Sequence, residues 1–153
     1  MKNIVNFLIV FMLMLMQTSC LKIGLDDLDA YESNDITNVR FEYRWWDSSS
    51  NRMRVVDMIV NSSIDVEKKI IRCDIVVPEI STVFTQEIRE QVLLSCLAIN
   101  VDISSAARLE PVGDSPVMGV FPSDFSKLEF LYKIRSATGQ EVVWTLVINS
   151  FNK

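Results

Sequence analysis

From Val39 to Trp45 the chain alternates strictly: Val39, Phe41, Tyr43 and Trp45 share one side, Arg40, Glu42 and Arg44 the other. A period of two marks a strand with one face buried and one in water. Asp47 to Asn51, three serines between an Asp and an Asn, is a turn cluster. Arg54 to Val60 is a second apolar run, so the two segments predict a hairpin. A turn fits Asp65 to Lys69. Then Ile71, Cys73, Ile75 and Val77 alternate with Arg72 and Asp74, and Pro78 ends that strand because it cannot donate to a ladder.

Thr85 to Leu94 breaks the alternation. Thr85 is placed as an N-cap and Ile88, Val92 and Leu93 have helical spacing, which predicts a short helix or crossover. Strand character returns with Leu97, Ile99, Val101 and Ile103 on one face. Residues 104–124 hold three of the four prolines and two of the four glycines, so irregular structure or short edge strands are expected there. Phe130, Tyr132 and Ile134 point inward against Leu131, Lys133 and Arg135. After a turn at Ala137 to Gln140, Val142, Trp144, Leu146 and Ile148 face one way. The expected fold is an all-β, immunoglobulin-like antiparallel sandwich of about seven strands with one short helix or crossover.

The first residues have a different pattern. Lys2 precedes ten consecutive apolar residues, Phe7 to Met16. A bilayer-spanning helix needs roughly 20, so residues 1–19 are expected to be a signal peptide. Thr18 and Ser19 directly before Cys20 resemble the bacterial lipobox, with Gln17 where leucine is usual; degenerate forms of this kind are similar to those of Bacteroidota lipoproteins. The resemblance implies lipidation of Cys20 and attachment to a membrane. Residues 20–34 form an acidic tether, in which Lys22 followed by Asp26, Asp27, Asp29 and Glu32 looks like a delayed surface-export signal. The body is then 35–153.

Charge and composition remove several function classes. Lys2 is the one charge among residues 1–19, so 15 basic residues become 14 against 20 acidic ones, a net charge of −6. That argues against nucleic acid, which demands clustered Lys and Arg. There is no histidine, which eliminates a Cys–His nucleophile and the commonest metal ligand. No metal site and no cofactor are expected. Glu42, Asp57, Asp74, Glu129 and Glu141 lie on strands without a spacing that singles out a catalytic pair, and no phosphate loop or nucleophile elbow occurs. The chain is therefore expected not to be an enzyme. Cys73 and Cys96 are candidates for a disulfide, although their opposed faces favour two separate thiols.

Four features occur in order: Asp35-Ile36-Thr37-Asn38-Val39-Arg40-Phe41; Ile75-Val76-Val77-Pro78; Ser123-Asp124-Phe125-Ser126; and Tyr132-Lys133-Ile134, followed by Ser136 to Gly139 and Trp144-Thr145-Leu146-Val147. Over about residues 35–149 this set resembles the immunoglobulin-like or cadherin-like domains of Bacteroidota surface lipoproteins, mostly domains of unknown function. Pro78 to Leu93 is longer and more helical than that pattern. The resemblance implies an outer-membrane anchor, often beside glycan-uptake machinery, and transfers no catalytic residue.

Trp45-Trp46 is the most informative pair. Neighbours on a strand point to opposite faces, so a core Trp45 leaves Trp46 outside or at the rim, with Arg40, Arg44 and, across the turn, Arg52 and Arg54. An exposed indole beside guanidinium groups suits an envelope protein partner or a glycan; a cap on the sandwich end is the structural alternative. The expected function is a lipid-anchored binding or accessory module of a cell-surface complex, or else a lipoprotein that binds glycan directly. Its location would be the outer membrane, on the cell-surface or periplasmic face.

Overall fold

The computed structural model describes residues 32–153. The expected signal peptide, Cys20 and most of the expected tether lie outside the described residues.

Among the described residues eight strands form two sheets. The first sheet has β1 (Ile36–Asp47) in its centre, flanked by β2 (Arg52–Asp57) and β5 (Ala98–Ile103). The second runs in the order β3 (Ile59–Asp65), β4 (Ile70–Val76), β8 (Glu141–Asn152), β7 (Glu129–Arg135) and β6 (Arg108–Val112). One short helix, α1 (Gln86–Gln91), and a 3₁₀ turn at Leu94–Cys96 link β4 to β5. This is an all-β sandwich.

The alternating positions fill the space between the sheets. Val39, Phe41 and Tyr43 of β1, Ile71, Cys73 and Ile75 of β4, Phe130, Tyr132 and Ile134 of β7, and Trp144, Leu146 and Ile148 of β8 are all buried. An aromatic bridge crosses the core: Phe41 and Phe130 each lie 5.3 Å from Phe125, edge to face. Such pairs contribute about 0.5–1.5 kcal/mol beyond their buried area. Asp124 and Ser126 lie beside Phe125 in a tight turn, where the Asp124 carboxylate accepts the Ser126 N–H at 2.8 Å.

Three details depart from the sequence pattern. First, the run Arg54 to Val60 is two strands rather than one. Only its first part pairs with β1; at Met58 the chain crosses to the other sheet, with its N–H donating to the Phe41 carbonyl at 2.8 Å and its side chain buried. Second, the pairing is not antiparallel throughout: β4 runs parallel to β8, two strands that no hairpin joins, since β5, β6 and β7 lie between them in sequence. Third, Leu93 is exposed while Leu94 packs on the core. The helix stops at Gln91 and the backbone is extended from Val92, so helical spacing no longer decides which side chain points inward.

The strand directions define two poles. At the amino-terminal pole the chain enters β1, and Trp144 donates its indole N–H to the Asn34 carbonyl at 3.0 Å. Lys69 reaches Asp35 at 2.6 Å and sits 5.2 Å from the Trp144 ring centroid. The 104–107 loop and the 136–140 turn lie at this pole. The β1–β2 hairpin turn, α1 and the carboxyl terminus lie at the other. Twelve residues of β1 separate the poles by roughly 36–40 Å.

Candidate functional site

The hairpin pole carries the tryptophan pair. Trp45 turns inward at the rim, stacked on Tyr43 with centroids 6.2 Å apart and 5.8 Å from Phe84. Tyr43 in turn meets Phe121 edge to face at 5.7 Å. Trp46, on the opposite face of the strand, is 55% exposed. Its direct cross-strand neighbour is Met53, and Arg44 faces Val55; both apolar partners are exposed. Trp46, Met53 and Val55 thus make a small apolar patch on the outer face, bordered by Arg44, which is held by Glu42.

The turn beyond Trp46 is built around one carboxylate. Asp47 Oδ1 accepts the Ser49 N–H at 3.0 Å and the Ser49 hydroxyl at 2.6 Å; Oδ2 accepts the Ser50 hydroxyl at 2.6 Å and Arg54 Nε at 3.0 Å. These bonds, those from Ser49 and Ser50 first, hold the carboxyl well below the usual carboxylate range. Asp47 is a fixed anion whose oxygens are occupied, which suits positioning the turn and not proton transfer.

Across from the turn, α1 is fastened through its last turn. Arg89 donates to the Pro78 carbonyl at 2.9 Å and Lys153 to the Glu90 carbonyl at 2.8 Å. Between helix and hairpin lies an open cleft of about 470 Å³ lined by Trp45, Trp46, Asp47, Arg54, Thr85 and Gln91, among others. Its wall combines an indole face with hydroxyl, amide, carboxylate and guanidinium groups.

The predicted contact residues do not all meet here. Trp46 lines the cleft and Arg44 is its neighbour on the outer face. Arg40 does not join them: six positions back along the strand, roughly 20 Å away, it pairs with Asp102 at 2.8 Å. Arg52 is exposed opposite Asp47 in the register and does not line the cleft. Arg54 lines it instead, because it stands directly opposite Trp45. Thr82, Val83, Thr85, Ile88 and Gln91 of the helical crossover complete the wall. The helix is legible in the sequence, but its placement over the hairpin is not.

Both Cys73 and Cys96 are free thiols. Burial, with Asp74 adding to it, pushes the Cys73 thiol up to about 12; burial also raises that of Cys96. No group of three or more Cys, Asp or Glu residues suited to a metal ion converges among the described residues. The lipidation candidate Cys20 lies outside them.

A family model described as DUF5018-related matches residues 36–147. The chain belongs to this DUF5018-related family. The match covers the sandwich from the first residue of β1 to well within β8, including the cleft. The DUF5018-related domain is also similar to a Bacteroides fragilis protein of inferred secretion, known from a crystal structure, at 30% identity and a TM-score of 0.70, over 81% of this chain and 99% of that one. No curated protein matches. The family and this neighbour agree with a Bacteroidota-type β-rich domain of unknown function.

Proposed function

We propose that the chain is a non-enzymatic, lipid-anchored binding module of the bacterial envelope, acting as part of a surface complex through the cleft between the β1–β2 hairpin and α1. The observation that carries this reading is Trp46, a large indole left 55% exposed on the rim of a cleft whose hairpin side, Asp47, Ser49 and Arg54, is hydrogen-bonded into position. Exposed aromatic side chains in such settings are the usual anchors of binding energy. The secretion inferred for the Bacteroides fragilis neighbour supports an extracellular or envelope location. The signal peptide and Cys20 extend that to an acylated outer-membrane lipoprotein. Stable anchoring of this kind takes two or more acyl chains; among the described residues no helix is long and apolar enough to cross a membrane.

The arrangement of the poles supports the same reading. A tether attached at Asn34 leaves the cleft at the far end of β1, turned away from the lipid surface. The test is capture of envelope partners by the native chain and by Trp46→Ala. Loss of capture with unchanged melting temperature supports the cleft as the contact; intact capture with a lowered melting temperature makes Trp46 a structural cap.

A second reading, direct glycan binding, is favoured by the wall itself. A sugar ring stacks on an indole and takes hydrogen bonds from side chains such as Arg54, Gln91 and Thr85. Glycan-array binding that disappears in Trp46→Ala would select it over a protein partner.

A further inference from the structure

We propose that Arg108, Arg135 and the turn from Ser136 to Gly139 form a second binding site, for a tetrahedral oxyanion such as a phosphate or sulfate group. The site is independent of the hairpin cleft and lies at the opposite pole.

Arg108 of β6 and Arg135 of β7 are direct cross-strand partners. Like charges placed opposite each other destabilise a sheet, and their Cβ atoms are about 4.5–5.5 Å apart in such a pair. Nearby acidic groups relieve this conflict on the Arg135 side alone, where Glu141 stands directly opposite across the β7–β8 ladder. Glu141 is the carboxylate within reach of Arg135, at 3.5 Å, and it is shared with Lys133 at 3.6 Å. Glu110 faces Lys133 at 3.5 Å. Arg108 has no carboxylate within 4.0 Å among the described residues. Both arginines line a hollow of about 380 Å³ whose other walls are Ala106, Ser136, Ala137, Thr138 and Gly139, with no acidic side chain.

The remaining walls suit the same ligand. The Ser136 and Thr138 hydroxyls are hydrogen-bonded to each other at 2.8 Å and Ser136 Oγ accepts the Gln140 N–H at 3.2 Å, which leaves one hydroxyl proton free to donate beside the arginines. Gly139 has φ +86 and nothing within 4 Å of where a Cβ would stand, so the turn leaves the hollow open. Two arginines beside one free hydroxyl proton suit the oxygens of phosphate or sulfate, which arginine binds through paired N–H donors. An anion between the two arginines converts their repulsion into shared attraction. Because the hollow lies at the pole where the chain enters β1, the oxyanion could come from a lipid headgroup or from a soluble ester; the chemistry recognised is the same.

The test uses the full chain. Phosphate titrated against chloride at constant ionic strength is expected to shift the Thr138 and Gly139 amide resonances saturably. Arg108→Gln should weaken this at least tenfold, while Arg40→Gln, on the other sheet, leaves it unchanged. In chloride alone Arg108→Gln should keep or raise the melting temperature, because one of two opposed charges is gone. Unsaturable shifts, equal shifts in the Arg108→Gln, Arg135→Gln double variant, or a lowered melting temperature of Arg108→Gln would each overturn the site. Hydrogen exchange over 136–140 on vesicles separates the sources. Slowing on phosphatidic acid relative to phosphatidylcholine, lost in the double variant, assigns the oxyanion to a headgroup. Slowing by free phosphate alone assigns it to a soluble ester, and slowing by neither overturns the proposal.

Discussion

Trp45 and Arg54 stand directly opposite each other across the β1–β2 hairpin, and this one register pair separates the two tryptophans into different roles. Arg54 is drawn to Asp47, which closes the rim beside Trp45 and leaves Trp46 on the outer face with Met53. Trp45→Ala removes stacking on Tyr43 and the contact with Phe84, and is expected to destabilise by about 2–4 kcal/mol, below or within the range for fully buried aromatics. Trp46→Ala should stay within about 0.5 kcal/mol of the native chain, as exposed substitutions do. Urea unfolding of the two variants checks the contrast; equal losses would contradict it.

Asp47 should make the hairpin acid-sensitive from the ordinary carboxylate range downwards. Its folded-state proton affinity is depressed by the Ser49, Ser50 and Arg54 bonds, so the unfolded chain takes up the proton first. The stabilisation is complete above about pH 4 and declines as pH falls towards the folded value. Melting temperatures of the native chain and Asp47→Asn should therefore differ near pH 6 and converge as the medium becomes strongly acidic. A constant difference down to low pH would show that the carboxylate's charge is not what holds the turn.

Cys73 predicts the opposite limb. Its thiol is pushed up to about 12, so above about pH 9 the unfolded chain loses a proton that the native chain retains. Native stability then falls as pH rises from about 9 towards 12. The Tyr132 hydroxyl, also raised by burial, adds to this higher in the range. Cys73→Ala should flatten the alkaline decline while lowering stability at neutral pH through the cavity it leaves. In the native state a thiol reagent followed by mass spectrometry should modify Cys96 well before Cys73.

Trp144 tests the core and the amino-terminal junction together. It is fully buried, and its N–H is satisfied by Asn34. Trp144→Ala should cost about 3–5 kcal/mol. Trp144→Phe keeps most of the apolar contact and leaves the Asn34 carbonyl to water, for a smaller loss that includes about 1 kcal/mol for the hydrogen bond. Hydrogen exchange at residues 35–38 should rise in both variants; if Trp144→Phe leaves those amides fully protected, the indole bond does not hold the junction.

Much of the sandwich was legible because its buried faces alternate cleanly. Val39, Phe41 and Tyr43, then Phe130, Tyr132 and Ile134, then Trp144, Leu146 and Ile148 are inward in the sequence and inward in the fold. The crossing at Met58 was not legible. Val55 to Val60 contains no Gly, Pro or turn cluster, and the break depends on a hydrogen bond to Phe41 that exists only once β1 is in place. The parallel pairing of β4 with β8 has no local signature either. At the cleft, Trp46 followed from strand alternation alone, whereas choosing Arg54 over Arg52 required the hairpin register. The contribution of Thr85 and Gln91 required knowing where Pro78 sends the helix.

The junction at Asn34 and Asp35 has a mechanical consequence. These two residues are bonded to Trp144 and Lys69, which belong to β8 and to the turn leading into β4 in one sheet. The very next residue, Ile36, begins the central strand of the other. Tension applied from the amino-terminal side is therefore divided between both sheets, and it runs along β1, loading its ladders with β2 and β5 in shear. Peeling would break those hydrogen bonds one at a time, but shear makes them resist together. A domain tugged through its amino terminus by flow or by a bound partner would keep its distal cleft in shape.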